Sequence, residues 1–562
     1  MTLHDLINSL SADTFKSLVL YRPELALVGT IVLILLLKVF RVTASIDSYY
    51  VALLGSAVGL WFAIAALREP QSTSEAFTGL LVFDGFGCYI RLVLFLFAVA
   101  FCVFTRISGI PDREAATDFY PLVLGATLGM CMMTSANHLL TVFLGVEMAS
   151  VPSYALAGAL KGRRKSSEAA LKYAVFGAGA AGVMLYGISL LAGVLGSVHI
   201  PTMAVQLSGV LAHEPGSDQL MVLVLGGLMV MVGLSFKLSA VPFHFWCPDV
   251  FEGASAEVNA FLSVASKAAA LALLVRVAIG FGVLNDEKMT AAQDHSPQAV
   301  AMFNIADEGA AAVGAVAQTE VSQPVSASIT AGNTALAPSR YFIAQLLAFV
   351  AIITCTFGNL AAYGQTNIKR LLAYSTIAHA GYMIMPVAAA IVLADKDPIA
   401  ADKAIAGLAF YIAVYLFTNL GAFAVVAFLR NAIRSEDIAD YAGLLRRAPI
   451  LVVCFTLIMV SLIGIPPLAG FFGKFWIFSA LWDAGLSTVL IIAGLNTAVS
   501  LYYYLRVIRI MTMENEPESR LPFTISFAPG TFVLLCTAPI VLLGIWPDSL
   551  NQWLVKLTSN LL

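Results

Sequence analysis

The sequence predicts an all-α polytopic membrane protein with about fourteen transmembrane helices, and three observations support that fold class. Of its 562 residues, 60% are hydrophobic and 12% are charged, whereas about 25% of a soluble protein is charged. Apolar windows of about 20 residues, long enough to cross the hydrocarbon core, recur along the whole chain. The loops between these windows alternate between rich and poor in basic residues. The net charge of −3 gives no indication of nucleic acid as a partner.

The predicted spans follow one another with short connections over most of the chain. They lie at about 24–40, 48–67, 83–105, 119–135, 137–160, 170–195, 219–247, 255–283, 341–363, 368–393, 404–430, 450–482, 484–511 and 527–547. The spans 219–247 and 450–482 are long and contain proline near the middle or the end, which predicts interrupted helices.

The basic residues predict the orientation. About seventeen lie in one set of loops, including Arg41 and Lys161, and about eight in the other set, which contains both termini. The richer side is expected to face the cytoplasm, so both termini are expected on the external, periplasmic side. The N-terminal residues 1–16 lack a basic start followed by an apolar core, and no cleaved signal peptide is expected.

Two further features limit the chemistry of the chain. Residues 284–340 are rich in Ala, Ser, Gln and Thr without apolar periodicity, and are predicted to be a flexible external insertion. The seven cysteines form no CxxC pair, and nearly all lie within apolar runs. They are interpreted as small hydrophobic residues rather than disulfides or metal ligands, so redox chemistry is expected elsewhere.

Four charged residues fall deep inside the predicted spans, where they oppose membrane insertion by roughly 10 kcal/mol together. They are Glu147, Lys237, Lys267 and Lys474. Such groups are expected to face the bundle interior, paired or hydrated. Burial disfavours a charged lysine and a nearby carboxylate favours it, so a lysine beside a movable glutamate is a switchable proton site. The set therefore predicts a proton path. Arg91, Lys172 and Arg276, near the ends of their spans, are expected to reach the interface.

The first interrupted helix carries Lys237, and Pro242 and Pro248 follow it. A broken helix frees carbonyl groups and admits water, which is tolerated only inside protein or beside a cavity. His244 comes seven residues after Lys237, which is two turns if the helix stays regular, and would then lie on a similar face.

The second interrupted helix reverses this order, since Pro466 and Pro467 precede Lys474. Two broken helices of opposite polarity predict inverted repeats of five spans each, at about 119–283 and 341–511. Residues 1–118 then form an N-terminal three-helix segment. Residues 512–562 form a C-terminal transmembrane helix and tail.

Three motifs carry a family resemblance: GLSFKLSAVPFHFWCPDVFEGASAEVNAFLSVASKAAAL (233–271), NIKRLLAYSTIAHAGYM (367–383) and GIPPLAGFFGKFW (464–476). They resemble the proton-translocating, antiporter-like subunits of respiratory complex I, the bacterial NADH:quinone oxidoreductase. WCPDVFEG in place of the WLPDAH pattern of the M and L types, and Lys474 in place of the M-type glutamate, indicate the N type. The resemblance covers nearly the whole chain except 286–339.

The resemblance implies roles for individual residues. Glu147 matches the family's glutamate on the fifth span, Lys237 its partner on the broken seventh, Lys267 the connecting lysine on the eighth, and Lys474 the terminal lysine on the broken twelfth. Lys172 resembles an additional lysine at the cytoplasmic end of the sixth span, and His379 lies near the path between Lys267 and Lys474.

The resemblance also implies the setting. No cofactor is expected in this chain, because FMN, the iron–sulfur clusters and the quinone site belong to partner subunits in this family. The expected partners are the other membrane subunits of complex I (A, H, J, K, L and M types) and the lipid bilayer. The expected location is the bacterial inner membrane, with coupling of electron transfer to proton pumping through a buried Glu/Lys/His path.

Structural interpretations stay open for several of these residues. Glu147 and Lys237 could be an ion pair that only holds helices together. Lys172 has Glu168 four residues earlier, the spacing of a local surface pair. His244 and His379 could be satisfied structural histidines, and Asp249 could only cap a helix.

Alternative functions also remain. These are a membrane subunit of a multi-subunit Na⁺/H⁺ antiporter or of an energy-converting membrane hydrogenase, and a structural membrane scaffold. A sodium site prefers several oxygen ligands, and no aspartate partner for Glu147 lies within the spans. A scaffold would not need four charges inside the membrane.

Overall fold

The computed structural model of the protein describes residues 3–40, 46–68, 73–160, 162–213, 215–294, 325–518, 520, 522–559 and 561. Within these residues, twelve helices are long and apolar enough to cross a membrane. A thirteenth span results if helices 10–20 and 22–39, which meet at 85°, count as one. The all-α multi-pass prediction is confirmed, whereas the number fourteen is not. Arg41, Lys161 and the centre of the predicted insertion, 295–324, lie outside the described residues.

The N-terminal segment holds helices α1 (Leu3–Leu20), α2 (Arg22–Val39), α3 (Ser48–Ala66) and α4 (Gly85–Ser108). Pro23 in the first turn of α2 explains why the chain bends there, because proline is tolerated at a helix start and not in its interior.

A two-stranded antiparallel hairpin, which the sequence did not reveal, connects α3 with α4. It consists of β1 (Ser74–Ala76) and β2 (Leu81–Phe83). In its turn Phe77 and Thr78 both have left-handed backbone angles, φ 54° and 55°. Their N–H groups are held by the Ser17 hydroxyl at 2.8 Å and the Asp13 carboxylate at 2.9 Å, so α1 fixes the turn.

The region of the first predicted repeat is built from seven helices. These are α5 (Arg113–Thr134), α6 (Leu139–Ala157), α7 (Arg164–Leu195), α8 (Ile200–Ala212), α9 (Ser217–Leu238), α10 (Trp246–Gly253) and α11 (Ala256–Gly282). The predicted span 219–247 is therefore α9, which ends at Leu238, followed by a non-helical linker and the short α10.

Helices occupy both described ends of the predicted insertion: α12 (Asp286–Asp294) and α13 (Val325–Ala335). The Asn333 side chain bonds both the N–H and the carbonyl of Leu284, at 2.8 and 2.9 Å. The Lys288 ammonium donates to the carbonyls of Ile279 and Val283 at the end of α11, at 3.0 and 2.8 Å. Both ends of the insertion are thus attached to the helical body.

The remaining helices are α14 (Ala337–Ala362), α15 (Ile368–Leu393), α16 (Pro398–Ile433), α17 (Pro449–Ile463), α18 (Ala469–Asp483), α19 (Ser487–Met513), α20 (Phe527–Ile545) and α21 (Pro547–Thr558). The predicted span 450–482 is the pair α17 and α18, of 15 residues each. Neither alone reaches the roughly 20 residues that a crossing needs. This break accounts for one of the two predicted spans that are absent from the twelve; the other is 24–40, which counts only as part of the bent pair at its start.

The core is formed by α11, α15 and α16. In their most apolar stretches 94%, 94% and 89% of the residues are buried, against 33% in α7 and 33% in α19. Polar side chains on these three helices therefore face other protein groups rather than lipid. The three helices lie between the two broken helices, and they carry Lys267 and His379.

Candidate functional site: a line of buried lysines

The break between α9 and α10 is stabilised by side chains that flank it. Ser239 adopts a left-handed backbone, φ 56°, and ends α9 directly after Lys237. The Trp246 indole donates to the Phe236 carbonyl at 3.1 Å and stacks on Tyr173 with ring centroids 4.3 Å apart. A carbonyl freed by the break is thus satisfied by an aromatic donor, as buried backbone groups require.

Lys237 lies in the last turn of α9 and is 4% exposed. Its ammonium donates to the Ser150 hydroxyl of α6. Glu147, three residues before Ser150, forms no ion pair with Lys237, and its Oε1 has no hydrogen-bond partner among the described residues. The interpretation of Glu147 and Lys237 as a direct structural ion pair is therefore wrong. Ser150, which the sequence did not single out, accepts the hydrogen bond of Lys237 one helical turn from Glu147.

Lys267 lies at mid-length of α11 and is 2% exposed. Its ammonium donates to the backbone carbonyl of Thr376 in α15 at 2.8 Å. The Thr376 hydroxyl bonds the Leu372 carbonyl instead, at 2.7 Å. Among the described residues no carboxylate forms an ion pair with Lys267, and its ammonium is held by a peptide carbonyl instead.

His379 is buried and bonded at both ring nitrogens. Nδ1 lies 2.7 Å from the Tyr411 hydroxyl and Nε2 lies 3.2 Å from the Tyr504 hydroxyl. The Tyr504 hydroxyl also lies 2.5 Å from the hydroxyl of Ser375. A histidine between two hydroxyl groups can accept a proton at one nitrogen and release one at the other. Sequence reasoning missed both tyrosines, since each lies within an apolar run.

Lys474 lies beside the second helix break and is 3% exposed. Its ammonium donates to the carbonyls of Leu462 and Ile463, at 3.1 and 3.0 Å, which are the last free carbonyls of α17. The ammonium also lies 4.5 Å from the centroid of the Tyr382 ring. A cation is stabilised at a helix C-terminus and over an aromatic face. The freed carbonyls of the break thus compensate part of the burial of this lysine.

Helix α15 connects these groups through one side of its surface. Thr376, His379 and Tyr382 are spaced three residues apart, and they contact Lys267, the two tyrosine hydroxyls and Lys474 respectively. Six residues of α-helix span about 9 Å. Lys267, His379 and Lys474 thus all contact the same side of α15, and the role of His379 that the resemblance implied stays a prediction.

Lys172 lies apart from this line, in a partly exposed network. Its ammonium is 2.8 Å from Glu168 and 2.7 Å from Asp249, and it is 36% exposed. Asp249 and Glu252 of α10 also bind Arg370 of α15, at 2.9 and 2.8 Å. Asp249 therefore does more than cap a helix, because it ties the segment after the first break to the start of α15.

The same ion pairs set the acidity of the α10 carboxylates. Burial alone would raise the pKa of Asp249, but the hydrogen bonds from Lys172 and Arg370 outweigh burial and lower the pKa below its ordinary value. Burial alone would also raise the pKa of Glu252, but the hydrogen bonds from Lys165 and Arg370 outweigh burial and lower it. Both groups are therefore charged at neutral pH.

His244 lies in the non-helical linker, because α9 ends at Leu238. The condition for placing it on the same helix face as Lys237, a regular helix, is therefore not met. Its ring packs edge-on against Phe357 of α14 with centroids 4.3 Å apart. Its Nδ1 has no hydrogen-bond partner among the described residues. The linker thus brings His244 against the second half of the chain.

Two arginines that were expected to reach the interface are instead paired inside the protein. Arg91 is 2% exposed and holds Glu24 by two hydrogen bonds of 2.6 and 2.5 Å. Arg276 binds Asp84 by two bonds of 2.5 and 2.7 Å. The expectation for both arginines is wrong because each has a carboxylate within reach. Glu24, at the start of the first predicted span, was the residue in the sequence that could have indicated a partner for Arg91.

The comparison with known families gives one match, the family described as "NADH:quinone oxidoreductase/Mrp antiporter, TM". It covers residues 136–290 and 308–500, more than half of the chain. The matched residues include Glu147, Lys237, Lys267 and Lys474. The gap in the match, 291–307, falls within the predicted insertion.

Curated relatives agree over nearly the full length. The NADH-quinone oxidoreductase subunit N of Anaeromyxobacter sp. (strain Fw109-5) is 36% identical over 561 residues, covering 96% of each chain. The subunit of the same name from Rhodospirillum rubrum is 35% identical over 512 residues, covering 90% of each.

Among solved structures, a chain of respiratory complex I from Thermus thermophilus with bound aureothin is 28% identical, with a TM-score of 0.68 over 94% of this chain and 98% of the other. A chain of the Mrp complex from Dietzia sp. DQ12-45-1b has a TM-score of 0.74 at 18% identity, over 97% of both chains. The latter likeness shows the fold alone, so sequence rather than fold distinguishes the two kinds of complex.

Proposed function

Because this chain belongs to the NADH:quinone oxidoreductase/Mrp antiporter membrane-subunit family, we propose that it is the N-type proton-translocating subunit of a bacterial NADH:quinone oxidoreductase. Electron transfer in partner subunits would drive proton movement through this chain across the inner membrane. The observation that carries the proposal is the set of three lysines, each at most 4% exposed, whose ammonium groups bond hydroxyl or carbonyl oxygens and not carboxylates.

The roles of the residues follow from those bonds. A lysine held only by neutral acceptors loses its proton more readily than one in an ion pair, since burial disfavours its charge. Glu147, with one free carboxylate oxygen near Ser150, is the group whose approach to Lys237 would return the charge. Lys237, Lys267 and Lys474 would each take up and release a proton as their surroundings change.

The connection between Lys267 and Lys474 would run along α15. His379 would exchange protons with the hydroxyls of Tyr411 and Tyr504, which lie 2.7 and 3.2 Å from its two nitrogens. The two hydroxyls serve as donor and acceptor in turn, so the histidine need not move to relay a proton. Lys172 and Asp249 would act on the cytoplasmic side as a positioning network rather than as part of the line. His244 would stabilise the linker after Lys237 through its contact with Phe357.

The setting of the subunit is part of the proposal. FMN, the iron–sulfur clusters and the quinone site would lie in partner subunits, and the A, H, J, K, L and M types would be its membrane partners. The seven cysteines are all buried and free, and the described residues hold no group of three His, Cys, Asp or Glu able to bind a metal. The termini would face the periplasm. Sodium transport is less well supported, because among the described residues Glu147 is the carboxylate near Lys237 and no second carboxylate joins it to provide further oxygen ligands.

The test compares proton pumping with electron transfer in the assembled enzyme. The chromosomal gene would be replaced to give Lys237→Met, Lys267→Met or Lys474→Met. NADH oxidation and dye-reported proton uptake are then measured in the same inside-out membrane vesicles. We expect fewer protons pumped per NADH oxidised in each variant. The control is Lys403→Met, which alters an exposed lysine at the start of α16. Unchanged pumping in all three buried-lysine variants would refute the proposal.

A further inference from the structure

An apolar groove of about 250 Å³ lies between α9 and α14. Its walls include Leu223 and Leu234 of α9, Phe342 and Leu347 of α14, and Leu274 of α11. Apart from Ser339 near one end, the side chains that line it are apolar. Such a groove offers water few hydrogen-bond partners, so it suits an apolar occupant better than water.

The lining of the groove runs along α9 for about four helical turns. On α9 its lining extends from Leu220 to Leu234, and 14 residues of helix rise about 21 Å. The hydrocarbon core of a bilayer is about 30 Å thick, so one leaflet contributes about half of that. The lining therefore covers the depth of one acyl chain, and it starts at the ends of α9 and α14 that meet the membrane surface.

The groove opens toward the perimeter of the chain. The helices that form its outer edges, α7, α9 and α14, have only 33%, 39% and 44% of their most apolar stretches buried. Leu220 and Phe342, both at the edge of the groove, are 44% and 40% exposed. In a membrane the molecules that reach such an opening in bulk are phospholipids, whose chains match its chemistry and its length.

We propose that this groove is a binding site for an acyl chain of a membrane phospholipid, and that the bound chain insulates the buried lysines Lys237 and Lys267 from water. Leu234, at its inner end, is one turn before Lys237 on α9. Leu274, on its floor, is seven residues after Lys267 and on the same side of α11. A hydrocarbon chain beside these positions would keep water from reaching both lysines between the two halves of the chain. The insulating role rests on the proposed function, whereas the binding site does not.

Gly227 offers a way to close the groove without disturbing its walls. It lines the groove, and a Cβ built on it would meet no atom within 4 Å. Gly227→Phe should therefore place a ring in the space of the acyl chain. The matched control is Gly182→Phe on α7, because a Cβ there also meets nothing within 4 Å and Gly182 lies outside the groove.

The first experiment is photolabelling of the whole complex in vesicles that contain phosphatidylcholine with a diazirine on its acyl chain. We expect labelled α9 and α14 peptides from the groove in the wild type and in Gly182→Phe, and loss of that label in Gly227→Phe. Equal labelling in all three, or no label on groove peptides because a neighbouring subunit covers them, would overturn the site. The experiment needs no NADH, so its outcome is independent of pumping.

The second experiment tests insulation with a polar occupant. Gly227→Gln should exclude the acyl chain as Gly227→Phe does, but its amide would bring water into the groove. We expect fewer protons retained per NADH oxidised in Gly227→Gln and wild-type coupling in Gly227→Phe and Gly182→Gln. Wild-type coupling in Gly227→Gln, with the lipid label lost, would overturn the insulating role and leave the binding site supported.

Discussion

Lys237 donates its hydrogen bond to the hydroxyl of Ser150, one helical turn from Glu147, and thereby holds its charge without a carboxylate. This arrangement offers Lys237 two alternative acceptors, and so two states with different affinities for a proton. With Ser150 as acceptor the ammonium is solvated by a neutral group. With Glu147 as acceptor it would be part of an ion pair, so a small movement of one side chain would change its affinity for a proton.

Ser150→Ala should therefore alter coupling without removing a charged group. The buried ammonium loses an acceptor whose hydrogen bond contributes about 1.5–3 kcal/mol, and Glu147 becomes its nearest alternative. We expect a severalfold drop in protons pumped per NADH oxidised, with electron transfer retained. The readout is the ratio of proton uptake to NADH oxidation in membrane vesicles. Ser150→Thr keeps the hydroxyl and should restore coupling; equal loss in both would assign the effect to packing.

Tyr411→Phe and Tyr504→Phe should each interrupt the relay at His379. Each change removes one of the hydroxyl partners of the imidazole and keeps the aromatic ring, so packing is conserved. We expect coupling to fall in both single variants to a similar extent, since one broken link is sufficient. A double variant should be little worse than either single variant, which is the signature of groups in one path.

Tyr503→Phe is the matched control for these two variants. Its hydroxyl bonds Asn359 at 2.9 Å, whereas the ring nitrogens of His379 bond Tyr411 and Tyr504, and its ring is as buried as that of Tyr504, on which it packs at 4.3 Å between centroids. It should lose a comparable amount of stability and retain coupling. If Tyr503→Phe uncoupled the enzyme as strongly as Tyr504→Phe, the relay would be refuted.

The sequence predicted the membrane class, both broken helices and the buried lysines, because apolar length, proline and charge are properties of single residues or short windows. It did not predict how each charge is satisfied. Lys267 bonds a backbone carbonyl of α15, and Arg91 bonds Glu24, 67 residues away. Such partners depend on packing between distant helices. The hairpin at 74–83 was missed because its turn is fixed by side chains of α1.

The pair of Arg91 and Glu24 should stabilise the N-terminal segment only as a pair. Both side chains are at most 2% exposed, so removing one leaves a buried charge without a partner, which costs about 3–5 kcal/mol. We expect Arg91→Met alone to lower the melting temperature of the purified complex strongly. The double variant Arg91→Met with Glu24→Gln should recover much of the loss. A double variant as unstable as the sum of the single changes would contradict this account.

Asp249 gives a prediction for pH dependence. Its pKa is lowered in the folded protein, so its ion pairs are complete above the ordinary aspartate value of about 3.9 and are lost as pH falls through the lower folded value. The difference in melting temperature between the wild type and Asp249→Asn should therefore be constant from pH 8 to pH 5. Asp483→Asn, at an exposed carboxylate with no ion pair among the described residues, should show little difference at any pH. A difference that changed across that range would show that another group titrates in the network.

Gly470→Ala tests whether the second break must close tightly around Lys474. A Cβ at Gly470 would lie 1.9 Å from the Ser461 carbonyl oxygen, so α17 and α18 would have to separate. Overpacking of this kind costs about 1–3 kcal/mol, and it would move the α17 carbonyls away from the ammonium. We expect lower stability together with reduced coupling.

Gly494→Ala in α19 is the control for that substitution, because a Cβ there meets no atom within 4 Å. It should be neutral or stabilising by up to about 1 kcal/mol, the helix preference of alanine over glycine. A Gly470→Ala enzyme that pumps normally would mean that Lys474 does not need the α17 carbonyls. The break between α17 and α18 would then serve only to shape the helix. The proton affinity of Lys474 would depend on Tyr382 and its other neighbours instead.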